Sequence, residues 1–64
     1  MIVVNKVTTE NGPIETGDLL VTSSMPGYAT RGTVRKRMLG AVVGKALQPL
    51  QSGTGVIQVL VALH

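Results

Sequence analysis

Ser23, Ser24 and Ser52 are the nucleophile candidates of this 64-residue chain, which has no cysteine. A serine hydroxyl attacks only when a neighbouring base takes its proton. The single histidine is His64, the last residue of the sequence, and no spacing pattern brings Lys45 or the N-terminal amine to a serine. Glu10, Glu15 and Asp18 are the only carboxylates. Acid–base catalysis needs positioned partners, and two of these three fall in turn signals. Asp18, directly after Gly17 and ahead of an apolar run, reads as a carboxylate that accepts backbone N–H groups and fixes a turn. No residue is assigned a catalytic role, and the sequence reads as that of a non-enzyme.

Ligand motifs fare no better. Gly44-Lys45 lacks the earlier glycine and the following Ser or Thr of a phosphate loop, having Leu39 and Ala46 at those positions. Gly53-Thr54-Gly55 is too short for a dinucleotide fingerprint and reads as a turn. One histidine and no cysteine supply no metal-ligand set, so neither metal nor cofactor is expected. Tyr28, the sole aromatic residue, reads as a packed ring with its hydroxyl at the rim. The chain carries +3 net charge, and Arg31, Arg35, Lys36 and Arg37 gather most of its bases in one stretch. They read first as a solvated edge that resists aggregation, and alternatively as a contact for nucleic acid or another polyanion.

The elements behind these residues are strands. Val, Ile and Thr make up 20 of the 64 residues, and Phe and Trp are absent, which favours pleated, half-buried surfaces. Turn chemistry recurs at short intervals: Asn11-Gly12-Pro13, Gly17-Asp18, Pro26-Gly27 and Gly53–Gly55. Strands are predicted over Met1–Thr9, Leu19–Ser23, Tyr28–Thr30, Met38–Leu47 and Val56–Leu63. Within Met38–Leu47, Gly40 and Gly44 argue against a helix and mark bends, bulges or close backbone approach. Val56–Leu63 is almost continuously apolar, as a strand buried on both faces, or on one face and in a subunit interface, would be. The fold class predicted is all-β, a small barrel or sandwich of four to five strands in a single domain. No apolar run reaches the ~20 residues of a membrane helix, so no membrane insertion is expected.

A longer pattern goes beyond composition. Residues 14–30, with Gly-Asp-Leu-Leu-Val-Thr-Ser and Pro-Gly, then Gly40–Leu50 and Gly53–Val61, resemble a short module of bacterial surface and phage tail-fibre-like proteins. It is similar to part of the autoproteolytic, intramolecular-chaperone region of tail appendages. The resemblance implies β-rich trimeric fibres, assisted folding and a location on a cell surface or virion appendage. It transfers no cleavage residue to a position here.

A chain of this length without disulfide or metal struggles to complete a core alone. Sharing one with copies of itself is therefore the expected solution, as a homo-oligomer with a trimer favoured. The apolar residues expected at that interface are Val56, Ile57, Val59, Leu60, Val61 and Leu63 of the last strand, with Met38, Val42 and Val43. Gly17, Asp18, Pro26, Gly27, Gly53 and Gly55 are expected to shape turns.

Overall fold

A computed structural model describes residues 1–33 and 42–61. Five strands form, β1 (Ile2–Thr8), β2 (Leu19–Thr22), β3 (Ala29–Arg31), β4 (Val42–Ala46) and β5 (Thr54–Leu60). They close into a barrel in the order β1-β3-β2-β4-β5. The all-β reading therefore holds, and of barrel and sandwich it is the barrel.

Pleating explains which residues fill it. The long ladder is antiparallel β1–β5, running from Ile2↔Leu60 to Thr8↔Thr54. Cross-strand partners share a face, so Val3, Val7, Ile57 and Val59 turn inward while Ile2, Val4, Val56 and Leu60 turn outward. The inward set joins Ile14, Leu20, Ala29 and Ala46 in one buried cluster, with Val3, Val43, Leu50 and Val61 packed against it. Val21 and Thr30, paired across β2–β3, are also fully buried.

Ile14 lies outside every strand, yet it is fully buried. Its segment is held to the chain beyond β4 by a pair of hydrogen bonds: the Ile14 N–H donates to the Leu50 carbonyl at 2.8 Å, and the Leu50 N–H donates to that of Ile14 at 2.9 Å. This single bridge seats Ile14 as a plug of the core.

The turns form as their residues dictate. Gly17, Gly27 and Gly53 all have positive φ. Asp18 Oδ2 accepts the Glu15 N–H at 2.8 Å, and the Asp18 N–H donates to the Glu15 carbonyl at 3.0 Å. The carboxylate thus fixes the turn that launches β2. Around Pro26-Gly27 the Tyr28 N–H donates to the Met25 carbonyl at 3.1 Å, and Gly27 at φ 82° supplies the conformation a type II turn needs at its third residue. Gly55 departs from the turn expectation. It lies inside β5 opposite Val7, and β5 begins at Thr54, because the turn is complete at Gly53. The absence of a side chain at Gly55 accommodates Leu50, whose Cδ1 lies 3.1 Å from where a Cβ would stand.

β4 carries the irregularity that closes the barrel. Leu20 faces Gly44 but Val21 faces Val42, so Val43 is an extra residue, a bulge that bends the strand. At Gly44 the backbone of β5 comes so close that a Cβ would lie 2.5 Å from the Leu60 carbonyl oxygen and 2.7 Å from Val59 Cγ1. The predicted bulge and close approach thus meet at adjacent residues. Gly40 lies outside the described residues.

Gly44→Ala should therefore force backbone apart, since the Leu60 carbonyl cannot rotate away as a flexible side chain would. The expected loss is about 1–3 kcal/mol of stability, read as a lower denaturation midpoint in urea. An unchanged midpoint would contradict the close packing of β4 on β5.

Candidate functional site: an apolar outer face and an open seam

The expected interface residues separate into two groups. Ile57 and Val59 are 4% and 0% exposed inside the chain's own barrel, so they leave the interface set. The reason is the period-two pleat, which sends alternate residues of an unbroken apolar run to opposite faces. Val43 and Val61 are half-buried against the same core. Val56, Leu60 and Val42 remain outward, at 62%, 39% and 54% exposure. Met38 and Leu63 lie outside the described residues.

The first strand, absent from the expected interface, contributes most to the outer surface. Ile2 and Val4 are 62% and 69% exposed. Through the ladder, Ile2 stands beside Leu60 and Val4 beside Gln58, with Val56 next to Lys6. Four apolar side chains thus share one face of a two-stranded ribbon. The signal was present in the alternation of Ile2-Val3-Val4-Asn5-Lys6-Val7, where inward and outward residues are both apolar.

Around the barrel from this face lies a groove of about 480 Å³ lined by Asn5, Thr22, Ser23, Tyr28, Ala29 and Val43, with Met25–Gly27 at its lip. It opens at the seam between β1 and β3. That seam is held by one parallel bridge, Val7↔Ala29, because β3 is only three residues long and cannot match the seven of β1. The Lys6 ammonium lies 5.7 Å from the centroid of the Tyr28 ring, a cation–π contact across the seam. Tyr28 is half-buried.

The serines and acids act on backbone here. Ser23 Oγ lies 2.6 Å from the Tyr28 carbonyl and 2.9 Å from that of Met25, and accepts the Met25 N–H at 3.1 Å. Ser24 donates its hydroxyl to Glu10 at 2.8 Å and its N–H to the same carboxylate at 3.0 Å. Both serines thereby fasten the β2–β3 loop that forms the groove's lip. Among the described residues no three His, Cys, Asp or Glu gather to hold a metal.

Arg31 also faces inward in function. Its Nη2 donates to the Asn11 carbonyl at 3.1 Å while Asn11 Nδ2 donates to the Arg31 carbonyl at 3.3 Å, and the guanidinium packs over Gly12. It ties the β1–β2 connection to β3. Arg35, Lys36 and Arg37 lie outside the described residues. Comparison with family models, curated proteins and solved structures gives no match to this chain.

Ser23→Ala should loosen the lip. Removing the hydroxyl leaves the Met25 N–H without its acceptor, at a cost of about 1 kcal/mol. Tyr28, the only fluorophore of this Trp-free chain, should show weaker shielding from a soluble quencher. Unchanged quenching and stability would show that the loop is held without Ser23.

Proposed function

We propose that this chain is a self-assembly module, a small β-barrel that joins copies of itself, and through them any longer protein that carries it. The observation that supports this most directly is the outer face of β1 and β5. Ile2, Val4, Val56 and Leu60 stand on that one face at 62%, 69%, 62% and 39% exposure, with Gln58 and Lys6 among them, on a chain that buries an apolar cluster of its own. Singly scattered surface apolar residues are ordinary, whereas several gathered on one face of a small domain point to an interaction site. The resemblance to tail-fibre-like modules supports the same reading, since it implies trimeric fibres.

Self-association should appear at micromolar concentration by sedimentation equilibrium. Val4→Glu places a charge on the face without touching the core, and should weaken association by about tenfold or more while leaving the far-UV circular dichroism unchanged. A wild-type chain that stays monomeric throughout the micromolar range would remove the proposal.

A further inference from the structure

The β1–β5 ladder fixes more than side-chain direction. The Met1 amine donates to the Val61 carbonyl at 3.1 Å, and the Val61 N–H returns to the Met1 carbonyl at 2.8 Å. Further along, the Thr9 N–H donates to the Gly53 carbonyl at 3.0 Å. In an antiparallel pair the residues that exchange hydrogen bonds alternate with residues whose N–H and C=O point to the other side. Met1, Val3, Asn5 and Val7 therefore bond to β5. Ile2 and Val4 direct both backbone groups away from it, toward the β3 side. The one bridge to β3 lies at Val7, so among the described residues no strand meets Ile2 and Val4 there. Among the described residues nothing pairs with these two donors and two acceptors, on an edge whose side chains, Ile2 through Asn5, carry no charge.

We infer that this edge pairs with the same edge of a second copy, antiparallel, with Ile2 of each chain opposite Val4 of the other and a two-fold axis passing beside Val3. The inference rests on the self-assembly reading and specifies its contact. In this register the Ile2 N–H donates to the Val4 carbonyl of the second copy and the Val4 N–H donates to its Ile2 carbonyl. Both pairs recur by symmetry, so all four open groups of each edge are satisfied.

Side chains agree with this register. On the outer face Leu60, Ile2 and Val4 of the second copy fall in one cross-strand row, and a second row repeats it in reverse. The exposed apolar residues of two copies thus shield one another. Charge works mildly against the pair: two chains of net charge +3 repel, and the Met1 ammonium, held on the Val61 carbonyl, stands beside the edge, while Lys6 is drawn aside onto the Tyr28 ring and faces no lysine across the axis. The symmetry is isologous and closes at two copies.

Residue-resolved amide exchange across a dilution series of the native chain reads the edge directly. In dilute, monomeric protein the Val3 and Asn5 amides should be protected and the Ile2 and Val4 amides should not. At assembling concentration exchange at Ile2 and Val4 should slow by more than about tenfold, with a native mass of two copies. Val4→Pro removes one edge donor, keeps an apolar outer side chain and leaves the β5 hydrogen bonds intact, as Pro on an edge strand can. It should stay folded and become monomeric. Assembly with Ile2 and Val4 still exchanging freely, or a three-copy mass, would overturn the edge pairing and leave self-assembly standing. Protection of both amides in the monomer would overturn it by showing the edge already covered. A chain monomeric at every concentration would remove both proposals.

Discussion

The register of β1 on β5 is the constraint from which the rest follows. Seven consecutive pairs, Ile2↔Leu60 to Thr8↔Thr54, assign every residue of the two longest strands to a face. Shifting that register by one would flip one strand against the other, so that either Ile2 and Val4 replaced Val3 and Val7 in the core or Val56 and Leu60 replaced Ile57 and Val59. Because both sets are apolar, hydrophobicity alone does not choose between them. The choice falls to features at the ladder's ends: Gly53 turning with positive φ, Gly55 leaving room for Leu50, and Gly44 letting β4 lie against Val59 and Leu60.

Closing a barrel with so little chain leaves marks elsewhere. β4 must both bend and approach, hence the bulge at Val43 beside Gly44. β3 is three residues long and meets β1 at a single bridge. The barrel is therefore tight along β1–β5 and β2–β4 and thin at the β1–β3 seam. Lys6 on Tyr28, Arg31 on the Asn11 carbonyl, and the Ser23 and Ser24 clamps all lie around that seam or at the loops beside it. Polar side chains do there what a longer strand would have done with backbone hydrogen bonds.

Much of this was legible in the sequence. The β-branched bias and the spaced Gly and Pro residues predict four to five strands, and five form. β1 to β3 lie near their predicted spans, β4 covers Val42–Ala46 of the predicted Met38–Leu47, and β5 starts two residues earlier than predicted, while Asp18 and Pro26-Gly27 act as their chemistry requires. Gly44 fulfils the expectation of a bend at close approach. What pattern reading could not assign was the face of each residue in a strand apolar on both sides. Val56–Leu63 reads as a strand buried on both faces, or on one face and in an interface, and the pleat that decides between them puts Ile57 and Val59 in the core and Val56 and Leu60 on the surface. The role of Ile2 and Val4 was hidden for the same reason. The burial of Ile14 has no sequence signal, because a lone apolar residue between turns has no periodicity and its burial depends on a contact with Leu50, 36 positions away.

The described chain encloses a buried apolar cluster of its own, and the proposed association would use the apolar side chains left outside it. Folding and assembly are then separable, and a dilution series that follows mass by sedimentation and structure by far-UV circular dichroism on the same samples tests this most directly. The account predicts that the β spectrum persists unchanged after the assembly has dissociated to single chains. Loss of the spectrum in step with dissociation would contradict it, because the core would then be a property of the assembly and not of the chain.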